Sequence, residues 1–308
     1  MTANGAGDPA PPVLDARTVR TDVGAFDRER DVVTVAGPDA SSYLQGQMSA
    51  DVASLDVGAS TWSLLLEPNG KLCVWGRVTR TGEAELLVDI DRGWGEVAIA
   101  RLRRFLLRVD VSLELATRRC VALRGPNSRA GAGRSFGPGV VAVDVDWRGL
   151  AGVDLLDLRG QPSPLLPEIA RSGPGVWNEL RVEQGWPEMG CELDASTIPA
   201  EAGEWLIESS VSFDKGCYTG QELVARVRSR GSNTPRHLRG LRFEGGVVPA
   251  PGAPVLCDGA ERATVTSSTF SHRHGVPIAL AMMHRSVEPG ATVDVGGSDA
   301  TVVPLPFS

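Results

Sequence analysis

Asp214-Lys215-Gly216-Cys217-Tyr218-Thr219-Gly220-Gln221-Glu222 is the stretch on which the reading of this chain turns. It ends in a helix start. Thr219 and Glu222 have capping-box spacing, the hydroxyl taking one orphan N–H and the carboxylate reaching back to another, and Tyr218 and Leu223 stand where a hydrophobic staple forms. Leu223, Val224 and Val227 then share one face, Arg226, Arg228 and Arg230 turn to solvent or ligand, and Gly231 stops the helix. Cys217 lies two residues ahead of the cap and two after Lys215. A helix N-terminus and an ammonium both favour a thiolate. The neighbours Lys, Gly and Tyr are not the apolar setting of a structural thiol, so the pattern predicts a reactive cysteine over an inert loop residue.

Around this segment, 308 residues imply two or three domains. The net charge of −7 argues against a general nucleic-acid binder. Five widely spaced cysteines (73, 120, 191, 217 and 257) contain no Cys-x-x-Cys pair, so neither a zinc ribbon nor a self-contained iron–sulfur site is indicated. Reduced thiols in a cytoplasm are expected. Residues 1–12 are too small and polar to pack and read as a disordered tail without a signal peptide. Apolar runs such as Ile278 to Met283 are too short to span a bilayer.

Along the chain, Val32 to Ala36 reads as a strand, and Gly37-Pro38-Asp39 opens a helix carrying Leu44 and Met48 on one face. Trp62 to Leu66, the turn Pro68-Asn69-Gly70 and Leu72 to Val78 form a hairpin, followed by a strand Glu85 to Ile90. Helical spacing runs from Trp94 to Leu106, with Arg101 at the edge of the buried stripe and Arg103, Arg104 and Arg108 solvated. Strands are expected at 111–115, 120–123, 140–145 and 153–158, and a helix over 176–184. Gly131 to Gly139 lacks the Lys-Ser/Thr of a phosphate loop and reads as an ordinary loop. Mixed α+β architecture follows. From Arg236 onward only short alternating segments remain (238–243, 254–257, 263–267, 277–283, 292–295), as in a small all-β barrel or sandwich. His272 and His274 share a face of an extended segment, but no third ligand is near, so no metal is expected.

The segment 214–222 resembles the signature of the YgfZ family, folate-binding proteins related to the aminomethyltransferase (T-protein) of the glycine cleavage system. Val35 to Ala40 with Leu44-Gln45, Ala122 to Pro126, Arg181-Val182-Glu183-Gln184-Gly185-Trp186-Pro187 with Gly190 and Glu192, Ser267 to Ser271, and Ile278 to Ala281 resemble further landmarks of the family. The resemblance implies an α+β cloverleaf of two discontinuous subdomains (residues 13–235) and a C-terminal β-barrel (236–308) around a central folate hole. It implies a tetrahydrofolate cofactor, with Glu183 accepting the adjacent ring N–H and amino donors of the pterin as a bidentate pair. Arg181 and Glu192 are implied beside it. Arg226 and Arg228 are candidates for the glutamate tail, or equally a solvated helix face. The motif Gly216, Tyr218, Gly220, Gln221 and Glu222 is expected to carry Cys217 and Lys215 as the chemical groups, the thiol open to solvent through the folate hole.

Aminomethyltransferases carry an acidic residue shortly after the hairpin glycine. Here Gly70 is followed by Lys71-Leu72-Cys73-Val74-Trp75-Gly76, with no carboxylate before Glu83. Without that charge a developing ammonium loses its electrostatic partner. The resemblance therefore implies a cytoplasmic, monomeric, tetrahydrofolate-dependent accessory protein for assembly or repair of iron–sulfur clusters in client enzymes, acting indirectly on tRNA modification. The alternative is a folate-dependent aminomethyl or methyl transferase of unknown substrate. Direct RNA binding through the Arg226 to Arg242 stretch is disfavoured by overall acidity and few nearby aromatics.

Overall fold

A computed structural model describes residues 14–132, 139–160, 166, 169–229, 231 and 233–308. The expected tail, Arg230 and most of the loop read over 131–139 lie outside the described residues.

The chain opens with α1 (Ala16–Thr21), capped by Asp15, whose carboxylate accepts from the Thr18 N–H at 2.8 Å. Next come β1 (Gly24–Ala36), α2 (Ala40–Gln47), the hairpin of β2 (Ser60–Leu66) and β3 (Leu72–Gly82), β4 (Glu85–Asp91) and α3 (Gly95–Arg103). Then follow β5 (Ser112–Arg124), α4 (Ser128–Ala132), β6 (Val140–Asp146) and β7 (Ala151–Asp157). Seven strands form one sheet in the order β2-β3-β4-β1-β5-β7-β6. Its pairings are antiparallel, and Gly24–Ala36 of β1 pairs along its whole length with Arg124–Ser112 of β5. The two strands expected at 111–115 and 120–123 are therefore one. Likewise β1 begins eight residues before Val32, through Phe26-Asp27-Arg28-Glu29-Arg30-Asp31. A run of five charges carries no apolar alternation; it extends as a strand because Arg28, Arg30 and Asp31 find ionic partners inside the protein.

Helices α5 (Pro174–Gln184), α6 (Glu204–Ser210) and α7 (Gln221–Ser229) lead to the barrel. The barrel comprises β8 (Arg236–Phe243), β9 (Pro254–Cys257), β10 (Ala260–Ser271), β11 (Val276–His284), β12 (Thr292–Val295) and β13 (Ser298–Val303), closed in the order β10-β11-β8-β13-β12-β9. Closure removes the free edges of its short strands. Leu241, Phe243, Val255, Val265, Ala281 and Met283 fill its interior. The fold is thus α+β with a C-terminal β-barrel. No helix among the described residues is long and apolar enough to cross a membrane.

Arg101, expected at the edge of its helix's buried stripe, is fully buried: its guanidinium donates to Leu66 O at 2.9 Å and to Gln47 Oε1 at 3.1 Å. It ties α3 to the end of β2 and to α2.

A chain of alternating charge runs through the sheet. Asp91 and Asp89 of β4 hold Arg30 of β1; Asp89 also holds Arg77 of β3 at 2.8 Å; Arg77 reaches Asp154 of β7 at 2.8 Å; Asp154 holds Arg124 of β5 at 2.7 Å. Buried charges are costly unless paired. Here three carboxylates and three guanidinia compensate each other across five strands. Burial alone would raise the Asp154 carboxyl, but the Arg124 and Arg77 guanidinia outweigh it and hold it at about 2. Because the folded value lies below the unfolded 3.8, the associated stability is complete above pH ~4 and is lost as pH falls toward 2. Asp154→Asn is expected to cost about 3–5 kcal/mol at neutral pH, because it leaves two guanidinia short of a counter-charge. Urea melts across pH 2–7 check both: the wild type loses stability below pH ~4 more steeply than the variant.

Candidate functional site

The sheet's period of two brings Arg28 and Arg30 of β1 and Cys120, Ala122 and Arg124 of β5 onto one face. With Trp62, Asp91, Trp147, Trp177, Trp186 and Glu188 they line a narrow cleft with about 30 Å³ of free space. Its wall is aromatic. Trp186 lies 5.4 Å from Trp62, 5.0 Å from Trp75, 5.7 Å from Trp147 and 5.2 Å from Trp205, ring centre to ring centre, and Trp147 meets Trp177 edge-on at 4.5 Å. Six of the seven tryptophans in the chain join this one network. Guanidinia stack on the same rings: Arg28 over Trp177 at 4.4 Å and Arg124 over Trp147 at 4.3 Å. Indoles and guanidinia thus stack on one another in a lining where Arg28, Arg30 and Arg124 are balanced by Asp91, Asp154 and Glu188. Arg124 is 1% exposed, and its Nε has no hydrogen-bond partner. A buried donor left over beside an open cleft is one that a ligand acceptor can satisfy.

The sequence reading missed this cleft. Its members are single residues scattered from 28 to 188, and the only legible signal was the unusual count of tryptophans between Trp62 and Trp205.

Glu183, expected at the pterin, does not line the cleft. Its carboxylate is fully buried and occupied by Arg20, at 3.1 Å from Nε and 2.5 Å from Nη2, and by the Ser271 hydroxyl at 2.5 Å. Arg181 and Glu192 pair at 2.9 Å, and both bind the Ser267 hydroxyl of β10. Arg181 and Glu183 of α5, together with Glu192 beyond it, fasten the helix to the barrel. Glu179 of the same helix holds His272 Nδ1 at 2.9 Å, and the described residues contain no group of three metal ligands. Arg226 is exposed, and Arg228 stacks over Phe213 at 3.7 Å beside an apolar groove on α7, so neither reaches the cleft.

The motif itself is a clasp on the back of the aromatic wall. Lys215 Nζ donates to Gln45 O at 2.6 Å, Met48 O at 2.7 Å and Ala50 O at 2.8 Å. All three ammonium protons are thus spent on the last turn of α2, where helix carbonyls lack intrahelical partners, and on the segment that follows it. The expectation that this ammonium polarises the Cys217 thiol gives way to an anchoring role. Burial pushes its pKa down to about 8, which leaves it mostly charged at neutral pH. Thr219 N adds a bond to Gly46 O at 3.1 Å. Helix α7 begins at Gln221, and the observed reach-back is Gln221 Oε1 accepting from Tyr218 N at 3.2 Å, in place of the expected Thr219–Glu222 box. Gly220 has φ +85°, and a Cβ there would stand 2.6 Å from Glu67 O; a Cβ on Gly70 would meet Leu223 Cβ at 2.3 Å. The two glycines let the β2–β3 turn nest against the start of α7. Cys217 is exposed, with open space at Gly216, but it is not among the residues lining the aromatic cleft. Thiol and cleft are separate places on the described surface.

Lys215→Met is expected to lower stability by roughly 1–3 kcal/mol by stripping partners from three carbonyls, and to speed proteolysis around 212–220 in a limited-digestion assay. For the cysteines, burial pushes the Cys73 and Cys120 thiols up to about 11 and about 12, and burial with the neighbouring Glu192 raises Cys191. Mass-spectrometric mapping of iodoacetamide labelling at neutral pH should therefore find Cys217 modified before Cys191, with Cys73 and Cys120 last.

Comparison with known proteins matches residues 13–137 to the GCVT N-terminal domain and residues 236–308 to the glycine cleavage T-protein C-terminal barrel domain. A tRNA-modifying protein YgfZ from Cronobacter sakazakii is 27% identical over 97% of both chains. An aminomethyltransferase from Rubrobacter xylanophilus is 30% identical, covering 94% of this chain and 84% of its own. Among solved structures, the glycine cleavage system aminomethyltransferase T from Bartonella henselae superposes with a TM-score of 0.78 at 19% identity, over 95% of this chain and 88% of that one. With an N-terminal region, a closed barrel and a 30%-identical relative all of that lineage, the chain belongs to the glycine cleavage T-protein family.

Proposed function

We propose that this chain binds a reduced folate in the tryptophan-lined cleft and serves as a YgfZ-like accessory protein for iron–sulfur cluster assembly or repair, with Cys217 as its exposed reactive thiol. The observation that carries the folate half is the cleft itself. It offers the half-buried Trp62 for the bicyclic ring, a buried Arg124 Nε–H without a partner, and the Arg28 side chain at one-third exposure for an anionic tail. Trp62, Trp147, Trp177, Arg28 and Arg124 would hold the ligand. Bound tetrahydrofolate would supply one-carbon or redox chemistry; the protein's share is to stack, orient and exclude water.

The accessory half rests on the likeness to proteins named for tRNA modification and on the Gly70 hairpin. Where an acid is expected shortly after the hairpin glycine of an aminomethyltransferase, β3 runs Leu72-Cys73-Val74-Trp75-Gly76 without a carboxylate. The hairpin therefore supplies no carboxylate for an aminomethyl transition state. Activity in place of T-protein in a reconstituted glycine cleavage assay would reverse this assignment in favour of a transferase.

Tetrahydrofolate is expected to quench the tryptophan fluorescence. Trp62→Leu, which removes one half-buried stacking face, should weaken binding roughly two- to tenfold. Cys217→Ala should leave that affinity unchanged, since the thiol stands apart from the cleft, yet fail to support a cluster-dependent enzyme in air-grown cells lacking the native protein. Titration of fluorescence and assay of the client enzyme read the two halves separately.

A further inference from the structure

The His272-Arg273-His274 segment, without a third metal ligand, stands at a second open space in the molecule. His272 and Arg273, in the turn between β10 and β11, face Arg17, Arg20 and Thr21 across a pocket with about 290 Å³ of free space. It shares no lining residue with the aromatic cleft. Three guanidinia and an imidazole line it, and no carboxylate does. Arg17 and Arg273 are exposed and have no ion-pair partner among the described residues. Asp15, the acid at the start of the same helix, is spent on capping, through the Thr18 N–H and hydroxyl, both at 2.8 Å. Like charges gathered in one pocket repel each other, and an anion seated among them removes that cost.

Two of the four groups are held in place from behind. Glu179 and Glu183 of α5, both buried, accept from Arg20 through its Nε and Nη2, which leaves Nη1 without a partner among the described residues. Glu179 also accepts from His272 N at 3.0 Å, and its Oε2 lies 2.9 Å from His272 Nδ1. A carboxylate only accepts, so Nδ1 carries the proton and Nε2 is the ring atom left for a ligand. The His272 side chain is 69% exposed. Burial holds the neighbouring His274 imidazole below its ordinary pKa; Glu183 opposes this, and Arg273, Arg242 and Arg20 add to it, so the positive charge of this corner extends beyond the lining.

We propose that Arg17, Arg20, His272 and Arg273 bind the phosphoryl group of a phosphomonoester. Its three terminal oxygens and double charge match three guanidinia and an imidazole; a carboxylate, with two oxygens and one charge, would leave part of the donor set unused. Arg20 and His272 are pre-oriented by the buried glutamates, and Arg17 and Arg273 close on the anion from the mouth. The free space lies near the lower end of small-ligand pockets, roughly 300–1,000 Å³, and leaves room for a sugar-sized group beside the phosphoryl. The site stands whether or not the aromatic cleft takes a folate.

Phosphorus NMR and calorimetry of the intact protein test this, with inorganic phosphate and ribose 5-phosphate as probes at about 0.15 M salt. Both are expected to bind saturably, ribose 5-phosphate more tightly, and unphosphorylated ribose not at all. Arg17→Gln, His272→Gln and Arg273→Gln should each weaken ribose 5-phosphate about tenfold, as for the loss of one hydrogen bond between charged groups. All three side chains are exposed, so the variants keep the fold. Arg103→Gln, at an exposed arginine on α3, should leave the affinity unchanged. No saturable binding by the wild type, binding of inorganic phosphate alone (an adventitious ion only), or equal weakening by Arg103→Gln would overturn the site. Affinity for a single-stranded oligoribonucleotide lacking a terminal phosphate, with none for ribose 5-phosphate, would overturn it too and leave a contact for phosphodiesters.

Discussion

The structure depends on one line of alternating charge, Asp91–Arg30–Asp89–Arg77–Asp154–Arg124, laid across β4, β1, β3, β7 and β5. No member is tolerable without its neighbours, because an unpaired ion in the interior costs several kcal/mol. The line therefore fixes strand registry as firmly as the apolar core does. It also decides what the adjoining cleft is. Guanidinia already neutralised by carboxylates are rigid, and their planar faces are free to stack on indoles: Arg124 on Trp147, Arg77 on Trp62 at 5.4 Å. The ion line thus holds the aromatic wall.

Behind that wall sits the segment that looked chemical in the sequence. Trp75 Nε1 donates to Ser210 Oγ at 3.0 Å, Ser49 Oγ to Ser210 O at 2.6 Å, and Ala50 O receives Lys215. Aromatic wall, helix α6, the end of α2 and the motif form one continuous hydrogen-bonded stack. Lys215, Gly220 and Gln221 spend their chemistry on holding this stack together, and Cys217 is left projecting from it. The exposed thiol and the aromatic cleft are thus mounted on the same rigid stack.

The barrel is joined to this assembly by a second polar seam. Arg181, Glu183 and Glu192 reach Ser267 and Ser271, and Glu183 O accepts from Phe307 N at 2.9 Å. Polar groups at such a junction are fully paired, which makes it specific in orientation.

Local features were legible from the residues alone. The Pro68-Asn69-Gly70 hairpin, the helix over 176–184, and the short, turn-punctuated strands after Arg236 each follow from backbone preference and apolar periodicity, which act over a few residues. The signature at 214–222 was legible too, because its residue types are rare in combination. What only the tertiary structure decided was where side chains point and whom they meet. A carboxylate at 183 can face a ligand or Arg20, and an ammonium at 215 can face a thiol or three carbonyls; sequence spacing is the same in both cases. Charged strand residues such as Arg28 to Asp31 hide their periodicity, since their partners lie up to 160 residues away. The cleft is built from such long-range pairings, and an electrostatic partner is chosen by distance in space, which a linear pattern does not contain.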